Sequence, residues 1–458
     1  PPKEGVHRIE TEESGVDPAL VSQLVSALEH ETEDAVRACV VDVHHADLAD
    51  LIALLSASQR RRLLRILRVG LDPDLLLELD DTFRRELADV LSPKEMAEAI
   101  AEMESDEAVQ VLEDLEEEEL SDVLREVSAE EREEIEQGLQ FPEDTAGRRM
   151  QSEVVTVATD WSVGRTIDYL RDEEDLPDEF FDVFVVDDVH RPVGVISLSR
   201  ILRSPRSTPM RQIVDETQVI VPADMEQEEV ALQFEKYDLT TAGVVDEDGK
   251  LLGMITVDDV MEVAREEFEE DVLLLGGVGE EAVSDSVWFA ARSRFAWLLV
   301  NLGTAALASL VISLFDATIE QMVALAVLMP IVASMGGNAG TQSLTITVRA
   351  LATKELTTFN ALRSVRKELA VGVMNGLLFA LLAGILTYFW FDSLVLGAVI
   401  GGAMVINMVV AGVSGALLPF FFDRIGIDPA VASGVFVTTV TDVVGFFAFL
   451  GLASLVFL

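Results

Sequence analysis

Five long apolar runs, all after Ser286, constrain this chain more than any other feature. A hydrocarbon layer ~30 Å thick is crossed by about 20 helical residues. The runs cover approximately residues 295–314, 318–351, 368–390, 394–422 and 429–458, and each reaches that length. Beyond Ser286 there are eight acids and eight bases, so the whole formal net charge of −49 lies before that point. A strongly acidic soluble half is therefore joined to a neutral membrane half. That pairing points to cations, with one half to sense them and the other to pass them.

The bases fix an orientation, because they favour the cytoplasmic side of a bilayer. Arg292 and Arg294 precede the first run, Arg349, Lys354, Arg363, Arg366 and Lys367 lie between the second and third, and Arg424 lies between the fourth and fifth. The connections near Asp316 and Asp392 carry no base. The expectation is a multi-pass protein of the cell (plasma) membrane, with its N-terminus cytoplasmic and its C-terminus extracellular. The first residues are acidic and polar, which predicts no cleavable signal. A pI near 4.2 argues against a nucleic-acid partner, since phosphate binding needs a basic face. Cys39 is the only cysteine, so no disulfide framework or thiolate metal cluster can form. The five histidines, His7, His30, His44, His45 and His190, show no catalytic grouping, and an enzyme is not expected.

Ionisable residues inside membrane runs are costly and default to function. Asp442 sits near the middle of the last run, within Val437-Thr438-Thr439-Val440-Thr441-Asp442, and nothing in that run can pair with it. A carboxylate facing an aqueous path could hold a hydrated Mg²⁺ through its water shell, since Mg²⁺ dehydrates reluctantly. The Thr438 and Thr441 hydroxyls could bind such waters, or bond their own backbone. Glu320, at the start of the second run, could attract cations at a pore mouth. Asn301, Asn375 and Asn407 read as amides that join helices. The second run is interrupted by Gly336-Gly337-Asn338-Ala339-Gly340, followed by Thr341-Gln342-Ser343. Glycines there leave backbone carbonyls available near a cavity, and together with Asp442 they read as two walls of one ion path.

Residues 17 to about 140 read as short amphipathic helices in series, with starts at Asp72-Pro73 and Ser92-Pro93. The acid run from Glu113 to Glu119 reads as a solvated face, and arginine outnumbering lysine in so acidic a chain fits a high-salt cytoplasm. From Met150 strands alternate with helices, and the pattern repeats. Asp187 and Gly194 in the first copy match Asp246 and Gly253 in the second, each displaced by 59 residues. An internal repeat of this kind is one unit that pairs with its copy.

An acidic helical domain, a strand–helix repeat, a connecting acidic helix and five runs together resemble the MgtE family of magnesium channels. The motifs that carry the resemblance are Pro330 followed by Gly336-Gly337-Asn338, Gly340 and Gln342-Ser343, then Asp428-Pro429-Ala430 and Thr441-Asp442-Val443 with Gly445. Glu143-Asp144-Thr145-Ala146-Gly147 resembles the family's entry into a tandem cystathionine-β-synthase-type (CBS) pair.

The resemblance implies a multidomain membrane protein. An all-α superhelical N domain would cover 1–145, an α/β tandem CBS pair 146–261, a connecting plug helix 262–286 and an all-α pore domain of five helices 287–458. It implies a homodimer in a lipid bilayer, with Mg²⁺ both transported and regulatory, and possible ATP at the CBS pair. Asp442, Thr438, Gly434, Glu320, Gly337, Asn338 and Thr341 match pore positions. Asp238, Asp259, Glu267, Glu270, Asp271 and Asp428 match regulatory acids. The implied activity is passive Mg²⁺ uptake, closed by cytosolic Mg²⁺ binding between the N domain, CBS pair and plug helix. A coupled divalent-cation exchanger and a membrane-anchored CBS nucleotide sensor are the alternatives.

Overall fold

The computed structural model describes residues 17–457 except 31, 114, 174–175, 178–179, 215–219, 280–286 and 358. The chain divides into two units, Pro1–Arg265 and Glu266–Leu458. Residues 280–286 of the expected connecting segment lie outside the described residues.

Among the described residues, the first unit opens with ten helices: α1 (Pro18–His30), α2 (Glu33–Val40), α3 (His45–Leu54), α4 (Ala57–Leu67), α5 (Asp74–Glu78), α6 (Asp81–Ala88), α7 (Pro93–Ile100), α8 (Ser105–Glu113), α9 (Glu117–Leu124) and α10 (Ala129–Leu139). Their leucines recur at helical spacing and meet in one core that includes Leu24, Leu51, Leu63, Leu76 and Leu112. The breaks between them are chemical. Ser92 caps α7 by accepting from Glu95 N while Glu95 reaches back to Ser92 N, and Pro93 takes the first helical position.

The repeat follows: β1 (Thr156–Ala158), α11 (Val163–Asp172), β2 (Asp182–Val186), β3 (Pro192–Ser197) and α12 (Leu198–Arg203), then β4 (Ile220–Pro222), α13 (Gln227–Tyr237), β5 (Thr241–Val245), β6 (Leu251–Thr256) and α14 (Val257–Leu275). Both sheets have a parallel pair followed by an antiparallel hairpin, and Val185↔Gly194 in one corresponds to Val244↔Gly253 in the other. The displaced aspartates have one job. Asp187 Oδ1 accepts from Val189 N and Arg191 N, and Asp246 Oδ1 accepts from Asp248 N and Lys250 N. Each tight turn needs a left-handed residue, and His190 (φ 65°) and Gly249 (φ 78°) supply it. The copies meet where the Phe184 ring lies over Gly243 and Thr241 Oγ1 donates to Asp182 Oδ2 at 2.9 Å.

Among the described residues, the second unit holds five helices long and apolar enough to cross a membrane. They belong to α15 (Val287–Ser313), α17 (Ala324–Ala352), α18 (Ala361–Phe391), α19 (Leu394–Arg424) and α20 (Pro429–Phe457). The second sequence run differs from expectation in two ways. It divides into a short α16 (Asp316–Gln321) and α17, with Met322 leaving helical geometry at φ −139°. The glycine cluster does not interrupt it either, because α17 runs unbroken through Gly336–Gly340. Those glycines serve packing. α19 is the most buried of the five, and Asn407 at its centre donates from Nδ2 to Val332 O at 2.8 Å. A Cβ on Gly336 would lie 2.1 Å from Asn407 Nδ2, and one on Gly445 2.7 Å from the same atom. Asn407 is thus the joint between α17, α19 and α20, as the amide reading expected.

Gly336→Ala is therefore expected to destabilise the membrane unit by about 1–3 kcal/mol through overpacking. Gly303→Ala, with nothing within 4 Å of the added carbon, is expected to leave it intact or slightly firmer. Thermal melts of both variants in detergent give the comparison, and equal melting temperatures would rule out this account of the crossing.

Candidate metal and permeation sites

The inward commitment of Gly336, Gly340 and Ser343 turns the opposite face of α17 outward. That face carries Ser334, Asn338, Thr341 and Thr345, all exposed and all spaced by three or four residues. Asn338 Nδ2 donates to Ser334 O, Thr341 Oγ1 to Gly337 O and Thr345 Oγ1 to Thr341 O. The backbone thus takes the hydrogens and leaves oxygens facing outward. Gly337 brings this stripe against α20, where Thr438 Cγ2 would lie 3.9 Å from an added carbon. On α20, Gly434, Thr438 and Asp442 follow at intervals of four. Thr438 Oγ1 donates to Val435 O at 2.9 Å and Thr441 Oγ1 to Thr438 O at 2.9 Å, so both hydroxyls take the backbone option. Thr441 is fully buried, whereas Asp442 is half-buried. No hydrogen bond or ion pair reaches the Asp442 carboxylate among the described residues. Glu320 is exposed on α16, which packs against the end of α20 remote from Gly434, where Phe447 meets Phe315.

The last turn of α14 lies at the other end of this stripe. Leu274 and Leu275 pack on Leu344, Val348, Ala430 and Val437, and Leu275 O comes within 4.0 Å of the place a Gly434 Cβ would take. Asp428 Oδ1 accepts from Ala430 N at 2.6 Å and so caps α20. Burial, then the nearby Asp428 and Glu267, raise the Asp271 carboxyl from its ordinary 3.8 to about 6. Three of the expected acids, Glu267, Asp271 and Asp428, therefore gather here, while Glu270 lies on the exposed face of α14.

The first unit holds a second acidic group that sequence reasoning only half found. Asp259 was expected. Its partners Glu104, Asp106 and Glu107, at the start of α8, and Glu153, just after the helical region, were not. α8 is held there by Ser105, whose Oγ donates to Glu153 Oε2 at 2.8 Å and accepts from Ser152 N at 2.8 Å. Gln151 Nε2 donates to Glu104 Oε2 at 2.6 Å. Asp259, in the first turn of α14, accepts from Thr256 N and Oγ1 through Oδ2. Asp106 is 8% exposed, and its Oδ1 has no hydrogen-bond partner. It lines a pocket with Glu107, Gln110, Glu113, Arg148 and Asp259, where Arg148 lies 3.7 Å from Glu113.

Burial, with neighbouring acids, raises four of the carboxyls, those of Glu104, Asp106, Glu107 and Asp259. Glu104 reaches about 7, and Asp106 is pushed well up by burial, Asp259 and Glu104. Burial likewise raises Glu107 and Asp259, the latter against the Thr256 hydrogen bonds. The sequence signal was slight: Asp106 falls on the apolar stripe of α8 with Val109 and Leu112. Asp238 stands apart from this pocket, exposed at the left-handed C-cap of α13 with φ 51°.

A hydrated carboxyl titrates near 4–4.5, so each raised group favours the packed arrangement when protonated. Without divalent cation, the packing of α8 against residues 151–153 and Asp259 is full below about pH 4.5 and weakens as pH rises through about 7. Protease resistance of the chain in chelator should therefore fall between pH 5 and pH 8, and millimolar Mg²⁺ at pH 8 should restore it. A flat profile in chelator would contradict this.

Comparison with known proteins gives the family. Residues 43–144 match the MgtE intracellular N domain, residues 146–207 and 210–266 match CBS domains, and residues 329–452 match MgtE, described as a divalent cation transporter. The magnesium transporter MgtE of Enterococcus faecalis is 35% identical over 327 residues, covering 71% of this chain and 72% of that one. The magnesium transporter MgtE of Thermus thermophilus is 35% identical over 331 residues, with the same shares. That of Bacillus subtilis is 28% identical over 419 residues, 91% of this chain and 93% of its own. The cytosolic domain of the Mg²⁺ channel MgtE, solved in complex with ATP, aligns with 53% of this chain at 29% identity and a TM-score of 0.49. With similar relatives matched over most of their length and the N, CBS and transporter regions in the same order, this chain belongs to the MgtE family of magnesium transporters.

Proposed function

We propose that this chain is a Mg²⁺-selective channel for passive uptake and that cytosolic Mg²⁺ closes it. The observation that carries the proposal is the unpaired Asp442 carboxylate on a face it shares with Gly434 and Thr438. A charge held within an apolar helix without a partner is retained only where it meets water or an ion. The stripe of Asn338 and Thr341 beside it supplies uncharged oxygens suited to a hydrated cation. Exposed polar stripes do not face lipid, so two copies of this face would enclose the path between them in a homodimer. Glu320 would sit at its extracellular mouth and Asp428 at its cytosolic end.

Asp442→Asn keeps the shape and removes the charge. Mg²⁺ uptake into liposomes is expected to fall at least tenfold, on the order of 1.4 kcal/mol or more in ion stabilisation. Unchanged uptake would sink the pore assignment. A current that reverses at the Mg²⁺ equilibrium potential is also expected, whereas a coupled exchanger would reverse elsewhere.

Closure follows from the same electrostatics. Buried like charges repel unless a proton or cation neutralises them, and Mg²⁺ at the Asp106–Asp259 pocket and at the Asp271–Asp428 group would favour the packed forms. With Leu275 over Gly434, the packed end of α14 covers the cytosolic end of the stripe. ATP at the CBS pair would act on the same equilibrium. Ligand that binds one state stabilises it by RT ln(1 + [L]/Kd), about 2.7 kcal/mol at a hundredfold excess over Kd. Mg²⁺ is therefore expected to raise the melting temperature of the wild-type chain by several degrees. In Asp106→Asn combined with Asp259→Asn the increment should shrink by half or more. An undiminished increment would remove this pocket from the gating scheme.

A further inference from the structure

A different set of ligands lies in the helical region, beside the acidic pocket, where Asp74 is near enough to help raise Glu107. We propose that His45, Asp72 and Asp74 form a binding site for a borderline-soft divalent cation such as Zn²⁺ or Co²⁺.

His45 is the first residue of α3 and Asp74 the first of α5, and these helices pack through Leu48, Leu51, Leu75 and Leu76 in the common core. The packing sets the two side chains face to face. His45 Nδ1 lies 3.4 Å from Asp74 Oδ2 and 3.8 Å from Asp72 Oδ2, and all three ligand atoms lie within 4.8 Å of one another. A tetrahedral ion with bonds of about 2.0–2.1 Å needs ligand atoms about 3.3 Å apart. Small side-chain rotations close the remainder. Asp72 is already oriented, since its Oδ1 accepts from Asp74 N at 3.4 Å and its backbone O accepts from Leu75 N. That leaves Oδ2 as the atom presented to the imidazole.

The far side of the ring supplies the independent argument. Glu78 Oε1 lies 4.0 Å from His45 Nε2. Three carboxylates thus surround one imidazole, Asp74 and Asp72 on the Nδ1 side and Glu78 on the Nε2 side, and a bound cation would offset their mutual repulsion. A carboxylate behind a ligating imidazole is the usual outer shell of a metal-bound histidine. His44 lies against the ring at 3.9 Å between centroids and limits its rotation. His45 is 24% exposed, against 60% and 53% for Asp72 and Asp74, so solvent can complete the coordination.

The nitrogen donor decides which ion is taken. Mg²⁺ prefers oxygen ligands and keeps its waters, whereas imidazole suits Zn²⁺, Co²⁺ and Ni²⁺. The Asp106–Asp259 pocket has oxygen ligands alone, so the two sites select different metals.

The test is equilibrium dialysis of the purified full chain against Co²⁺ in a large excess of Mg²⁺, which fills oxygen-only sites. One Co²⁺ per chain is expected, with a visible absorption band. His45→Ala should abolish both, Glu78→Gln should weaken binding about tenfold through the outer shell, and Asp106→Asn with Asp259→Asn should leave both unchanged. Retention of Co²⁺ by a folded His45→Ala chain, or its complete displacement by Mg²⁺ from the wild type, overturns the site. If His45→Ala does not fold, Asp72→Asn replaces it with the same expected loss. Absence of Co²⁺ from the wild type also overturns the proposal. None of these outcomes depends on whether the chain conducts Mg²⁺.

Discussion

The membrane unit depends on the crossing at Asn407. Apolar side chains gain nothing by leaving lipid tails for another helix, so association there rests on close packing and on polar bonds between helices. Gly336 and Gly445 give the Asn407 amide its room, and its Nδ2 reaches Val332 O. One turn further, Gly340 accommodates Val437 and packs beneath Gly415, while Ser343 Oγ donates to the buried Glu368 Oε2 at 2.7 Å. Each contact uses the same side of α17. The outward direction of Asn338 and Thr341 is a consequence of that packing and needs no separate cause. On α20 the same logic places Val437, Thr441 and Gly445 inward, which leaves Thr438 and Asp442 at the border of the stripe.

The two acidic groups outside the membrane share one physical feature. In each, packing has moved carboxyls away from water without giving them a basic partner sufficient to hold their charge. Asp106 has an unsatisfied Oδ1 in a pocket, and Asp271 is crowded by Asp428 and Glu267. A fold that tolerates this is favoured by any neutralising species, whether proton or cation. Most acids of the first unit are unlike these. The run from Glu116 to Glu119 is exposed and hydrated, and its charge has no comparable effect on packing.

How far the sequence could be read follows from what each feature needs. Period and length sufficed for the membrane helices, the helical series and the repeat, because each is written in local spacing. The 59-residue displacement even pointed to equivalent turns, which Asp187 and Asp246 build in the same way. The glycine cluster misled, since its interruption of α17 was inferred from composition, whereas glycine inside a well-packed membrane helix marks close approach. The pocket at Asp106 was hidden for another reason. In a chain with 82 acids, nothing local separates a buried carboxylate from a solvated one, and only the meeting of α8 with residues 151–153 makes the distinction. His45, Asp72 and Asp74 were equally scattered until α3 and α5 packed together.

One helix connects the two kinds of acid in the proposed gating. α14 carries Asp259 in its first turn and Asp271, then Leu275, at its end. In that proposal the 19 residues of this helix, rising about 1.5 Å each, would carry both groups of acids on one element. Neutralisation at either end would then bias the same element between two arrangements. Ions that each favour one state of a shared two-state element act together, since every one adds its own differential affinity. Closure by several weak sites on one lever responds more steeply to Mg²⁺ than closure by one tight site. It also needs no site to be strong, which suits an ion that gives up its water reluctantly.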